Sequence, residues 1–248
     1  MRSTSGARVT DSQAALLGVV VTDSLAAMAV IGGFWLAVAL LRSFGKKAGY
    51  SLSPLGFSRP RGGFARAIGA GMAVGSGAVL LSLLVNPLTV LVLERLGYST
   101  RSTIQRPFME GLVRWAQESP AAAIPAIIFV VVLFGPAVEE LVFRGAIFNG
   151  LYRLGALISS RSVGTPQPKG PPGKAVFVSS ALVSSVLFAL LHLEPVFLPA
   201  LLILAIILCV LFRRSGSLLP SFVAHATFNS FVALIIILVG LGVLDIPI

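Results

Sequence analysis

Apolar positions run through this chain in long unbroken blocks, without the alternation of strands or the narrow stripe of a surface helix. Blocks of that length between short polar clusters predict helices that cross a hydrocarbon layer about 30 Å thick, where only a helix or a closed barrel satisfies its own backbone. Six such helices are expected, near 14–41, 64–93, 121–155, 174–192, 196–212 and 217–244. The first has SLAAMAVIGGFWLAVALL (24–41) as its most apolar part. It is too long for a signal-peptide core and no A-x-A cleavage pattern follows it, so it is expected to stay as a helix.

Composition agrees with the pattern. Over 248 residues the mean hydropathy is +0.95 and only 11% of positions are charged, far too few to cover a domain in water. The expected fold is all-α, a polytopic helical membrane bundle of about six transmembrane helices with a buried polar cavity. It is one membrane domain over 1–248, multi-pass in the cell membrane, with no repeat of 20 to 50 residues. YSLSPLGFSRPRGG (50–63) and SSRSVGTPQPKGPPGK (159–174) read as Pro- and Gly-rich connections. RSTIQRPFMEGLVRWAQESP (101–120) has apolar residues near helical spacing and is either an amphipathic helix along the outer interface or an ordinary loop helix.

The net charge of +10 raises the question of nucleic acid, but the basic residues are scattered through loops with no dense run or aromatic-interleaved patch. The partners expected are the lipid bilayer and a peptide or protein substrate, with no nucleic acid. Twelve basic residues fall in the odd-numbered loops (Arg42, Lys46, Lys47, Arg59, Arg61, Arg66, Arg153, Arg161, Lys169, Lys174, Arg213, Arg214). Six fall on the other side (Arg2, Arg8, Arg95, Arg101, Arg106, Arg114), which places both ends outside and the odd loops in the cytoplasm. Cys209 is the single cysteine, so neither a disulfide nor a thiolate cluster can form within the chain; it reads as a small apolar residue. Asp23 and Glu94 read as interfacial or structural charges.

The remaining chemistry lies in the third, fourth and sixth helices. FGPAVEELVFRG (134–145) puts Glu139, Glu140 and Arg144 inside a spanning segment, where an ionisable group needs a partner or a wet cavity. Glu140 and Arg144 are four apart and can pair, whereas Glu139 lies about 100° and about 140° around from them at 3.6 residues per turn and stays uncommitted. Gly135 and Pro136 can bend the helix and free a backbone carbonyl toward a cavity. The two histidines of the chain, His192 in FALLH (188–192) and His225 in HATFN (225–229), both sit in apolar segments. His225 and Asn229 share a helical face and can aim donors at one point, as oxyanion stabilisation requires. Together these groups suit water-mediated amide hydrolysis without a Ser or Cys nucleophile, and the lack of H-E-x-x-H excludes a conventional zincin site.

EELVFR (139–144), FALLH and HATFN, in this order on successive membrane helices, resemble the CPBP family of intramembrane proteases, also called the CAAX prenyl protease and bacteriocin-processing (Abi) family. RRSGSLLPSFVAH (213–225) resembles the turn before the last motif, and the likeness spans about 120–235, the expected catalytic core. The resemblance implies that Glu139 and His192 activate water, that His225 and Asn229 form the oxyanion hole, and that Glu140 and Arg144 orient the site. The family is commonly labelled metalloprotease: Glu139, His192 and His225 could form an open Zn2+ site, and the same groups could work without metal. Six helices suggest a compact bacterial-type member, for which a membrane-proximal peptide or membrane-anchored protein is a better substrate than a prenylated CAAX protein. Two other readings stand beside it: an ion- or proton-coupled transporter using the same charges, and a silent scaffold or immunity protein. His192 falls near the outer end of its helix and His225 near the cytoplasmic start of the last. They can meet only if the hairpin of the fourth and fifth helices stops short of the outer surface, leaving His192 buried.

Overall fold

The structure is a computed structural model. It describes residues 4–100, 105–162 and 173–246, the side chains of 4–10 and 160–162 excepted. Arg2, Arg101, Lys169, the side chains of Arg8 and Arg161, and most of the 159–174 connection lie outside the described residues.

Three helices come first: α1 (Thr4–Ser43), α2 (Phe64–Arg95) and α3 (Gln105–Glu118). A long helical rod follows, made of α4 (Pro120–Ile127), a first π-helical segment (Ile128–Phe134), α5 (Gly135–Glu140), a second π segment (Leu141–Phe148) and α6 (Asn149–Ser162). The chain then forms α7 (Lys174–Leu191), α8 (Leu198–Ser215) and α9 (Leu219–Gly240). Among the described residues there is no strand, and six helical spans are long and apolar enough to cross a membrane: Asp11–Ser43, Phe64–Arg95, Pro120–Ser159, Lys174–Leu191, Leu198–Ser215 and Leu219–Gly240. The protein is an all-α, multi-pass membrane protein.

Local chemistry sets several helix ends. The rod, α8 and α9 each start with proline in the first turn, where a missing N–H loses no helical bond. Gly216 ends α8 in the left-handed conformation at φ 68° and returns its N–H to Phe212 O, while Arg213 and Arg214 complement the helix dipole.

α9 is the central post, packed by α2, α3, α8 and the first π segment. α2 meets it along a seam of small residues, Ala67, Gly71, Gly75 and Ala78, all buried. A side-chain carbon on Gly71 would come 2.8 Å from Pro220 O and 2.7 Å from Val223, and one on Gly75 would meet Ala224 O and Thr227. Backbone contact of this kind replaces the hydrophobic driving force that lipid removes between helices. Gly75→Leu is therefore expected to lower the melting temperature in detergent, with a loss of about 1–3 kcal/mol as in overpacked cores. Gly77→Leu, with open space at that position, should leave it unchanged. Equal behaviour of the two variants would count against the seam.

Within the 101–120 segment the described residues Gln105–Glu118 form α3. α3 folds inward, burying Leu112, Trp115 and Ala116 against Leu16 of α1, Ala123 and Ile127 of α4, and Ala233 and Ile236 of α9. The apolar face that suggested a membrane-surface helix has protein to cover it.

Candidate active site

The rod supplies the first groups through its irregular register. In the first π segment Gly135 donates its N–H to Val130 O, five residues back, instead of to Val131 O. The next N–H in that register would belong to residue 136, which is Pro136 and has none. Val131 O is thereby left without a backbone donor, and the Asn229 carboxamide of α9 takes it, Nδ2 donating at 2.9 Å. The carbonyl freed at the Gly135–Pro136 step thus ties the rod to the last motif. Asn229→Ala should cost about 1–3 kcal/mol by leaving a buried carbonyl unpaired. The cost should shrink in a Pro136→Ala background, where residue 136 regains an N–H; denaturation of the four proteins of this cycle measures both.

The charges are arranged around Glu140. Its Oε1 lies 2.8 Å from Arg144 Nη1 and 3.1 Å from His225 Nδ1. Glu140, Arg144 and His225 are all buried. Arg144 also donates from Nη2 to Ala205 O at 3.4 Å and stacks its guanidinium 4.6 Å from the centre of the Phe188 ring. The two buried charges thus face each other, while Glu140 Oε2 and Arg144 Nε are buried without a hydrogen bond. With Nδ1 of His225 engaged by Glu140, its Nε2 points to Glu139, 3.6 Å from Oε2. That carboxylate oxygen is buried and has no hydrogen bond, while the Glu139 side chain as a whole is 31% exposed.

Phe188 brings the two histidines together. The His192 ring lies 4.8 Å and the His225 ring 5.6 Å from that of Phe188. His192 follows the last residue of α7 and engages Phe188 O through Nδ1 at 2.9 Å, which leaves Nε2 available. It is half-buried, not buried as the short hairpin suggested, because it sits just past the helix end. His192, His225 and Asn229 share a cavity of about 350 Å³ bounded by α2, α3, α8, α9 and the first π segment. Its other polar side chains are Ser82, Asn86 and Gln105, the last donating from Nε2 to His192 O at 3.3 Å. Glu139 is not among the lining residues; it meets His225 from the side of the rod.

Asp23 of α1 also lies at this end of the rod. Its Oδ2 is 3.6 Å from where a side-chain carbon on Gly135 would stand, one helical turn before Glu139, and is buried without a hydrogen bond. The signal in the sequence was an acid within an apolar span, the same signal that marked Glu139.

A catalytic zinc needs three protein ligands converging at about 2.0–2.2 Å with a position left open. Among the described residues no three of His, Cys, Asp and Glu are gathered in that way. His225 Nδ1 is already engaged by Glu140. Glu139, His192 and His225 as arranged do not fit a metal centre.

Residues 120–231 match the family model described as type II CAAX prenyl endopeptidase Rce1-like. Over 114 residues the chain is 31% identical to the membrane-embedded CAAX protease MroQ of Staphylococcus aureus (strain USA300). These two matches support the CPBP family for residues 120–231. The likeness to MroQ covers 46% of this chain and 40% of that protein, so the chain spans less than half the length of the relative it matches. No solved structure matches the chain. The CPBP segment comprises the rod, α7, α8 and most of α9 and carries all three motifs. The cavity walls given by α2 and α3, with Ser82, Asn86 and Gln105, lie outside it.

Proposed function

We propose that this protein is an intramembrane endopeptidase that hydrolyses a peptide bond of a membrane-anchored protein or membrane-proximal peptide. The observation that supports it best is the placing of Glu139 beside a histidine, His225, that Glu140 and Arg144 hold in a fixed orientation on the wall of a cavity shared with His192 and Asn229. Glu139 is the general base. It takes a proton from a water whose oxygen attacks the scissile carbonyl, with His192 orienting that water from the end of α7. The carbonyl oxygen becomes an oxyanion and receives hydrogen bonds from the Nε2–H of His225, whose ring carries both protons with Nδ1–H held by Glu140, and from the Asn229 amide hydrogen that Val131 does not use. Collapse breaks the C–N bond, and the proton held by Glu139 passes to the leaving amine. Glu140 and Arg144 position His225 and touch no reacting atom.

The test is cleavage of a set of fluorescence-quenched, lipid-anchored peptides by the purified protein in detergent. Wild type should cleave some members, and His192→Ala should cleave them at a small fraction of that rate with an unchanged melting temperature. Cleavage persisting after a strong chelator fits the proposed route, whereas loss on chelation with recovery in zinc would require a metal-bound form of the site. Equal rates for wild type, Glu139→Ala and His192→Ala would reject the assignment.

A further inference from the structure

The polar groups of the cavity differ in whether their hydrogen-bonding capacity is already engaged. Ser82 returns its hydroxyl proton to Val79 O at 2.7 Å. Gln105 donates to His192 O, Asn229 to Val131 O, His192 engages Phe188 O, and His225 engages Glu140. Asn86 makes none of these bonds. It lines the cavity from α2, and its Oδ1 is buried with no hydrogen-bond partner. A carboxamide in an apolar span with its oxygen shut off from solvent loses hydration without compensation, by about 1–3 kcal/mol in proteins. The neighbouring walls add little that is polar: Phe108, Met109, Leu112, Phe228 and Val232 are all apolar.

A side-chain carboxamide has one acceptor and two donors, the complement of a peptide unit, which offers one N–H and one C=O. We propose that Asn86 is a substrate-binding residue: it hydrogen-bonds the main chain of the bound polypeptide within the cavity that holds the two histidines. This rests on the endopeptidase reading and adds a recognition element outside the CPBP segment. The contact is to backbone, so it aligns an extended chain across the cavity without selecting a side chain. On binding the carboxamide turns about its last side-chain bond, so that its oxygen accepts a peptide N–H and its amide hydrogens face a carbonyl.

The probe is the fluorescence-quenched peptide that wild type cleaves fastest, together with versions carrying a backbone N-methyl group at each peptide bond in turn. A net hydrogen bond of about 0.5–1.5 kcal/mol corresponds to roughly a 2- to 12-fold change. Asn86→Ala should raise KM by a factor in that range with kcat nearly unchanged and the melting temperature intact. Asn86→Leu should do the same. Methylation at one particular bond should raise the wild-type KM similarly and have no further effect on Asn86→Ala. Unchanged KM in both variants, or methylation effects that multiply with the substitution at every bond, would overturn the proposal. So would a loss of folding in both variants, which would assign Asn86 a structural role. If wild type cleaves no peptide, the endopeptidase reading fails on its own. Fluorescence anisotropy of the same peptides then still tests Asn86: weaker binding to Asn86→Ala than to wild type supports it, and equal or absent binding overturns it.

Discussion

Glu139→Gln is expected to abolish proteolysis, by about 10²- to 10⁴-fold as when a general base is removed, while the protein folds and melts as wild type does. The separation of the two effects follows from its surroundings. Glu139 Oε2 has no hydrogen bond to lose and the side chain is partly exposed, so the isosteric amide removes a basic oxygen without unpairing a buried group. His225 keeps its orientation, because that comes from Glu140. Single-turnover cleavage and thermal melts on the same preparation measure both quantities. If Glu139→Gln retained more than about a tenth of the wild-type kcat, the base would have to be sought elsewhere. If activity and melting temperature fell together, Glu139 would be a structural residue.

The second large effect concerns stability. Arg144→Met should destabilise the protein by about 3–5 kcal/mol, the consequence of removing one partner from a buried ion pair. The variant leaves Glu140 charged in a dry interior without its guanidinium partner, beside His225 and the Ser221 hydroxyl. Glu140→Gln should be similarly harmful, since it leaves Arg144 wholly buried against Phe188 and Ala205 O. The double variant Glu140→Gln/Arg144→Met should recover part of the loss, because neither charge then remains. It should stay inactive, because His225 no longer has a carboxylate at Nδ1. A denaturation cycle with activity measured at each corner tests both statements, and strictly additive stability losses would show that the two residues do not act as a pair.

Much of this architecture was open to reading from the chain. The six spans follow from apolar runs, and the predicted starts at 64 and 174 coincide with the first residues of α2 and α7. Glu140 and Arg144 pair at the spacing that suggested it. The seam of α2 on α9 is written as Gly71-x-x-x-Gly75, yet hydropathy cannot single it out, because its glycines lie in a run where nearly every residue is apolar. Other features were hidden for physical reasons. Asn86 and Gln105 are single polar residues on elements with no motif, and only packing of α2 and α3 against α8 and α9 brings them to the histidines. The inward burial of α3 was hidden because an apolar face looks the same whether lipid or protein covers it. The convergence of His192 and His225 depends on Phe188, a residue readable as a neighbour of His192 but not as a bridge to α9.

The two π segments have a consequence for phase. A helical wheel assumes one constant angle per residue, and each stretch of five-back bonding accumulates a lag against it. Ile128–Phe134 sets that lag before Glu139 and Glu140, and Leu141–Phe148 adds to it across Arg144. Which carboxylate faces α9 is therefore a property of counting from the irregular turns, not from the start of the rod at Pro120. Deleting a single residue within Ile128–Phe134 would preserve composition, hydropathy and nearly the full length of the span, yet rotate the acids relative to His225. The chain stores the alignment of its two acids with His225 as a small offset in helical phase.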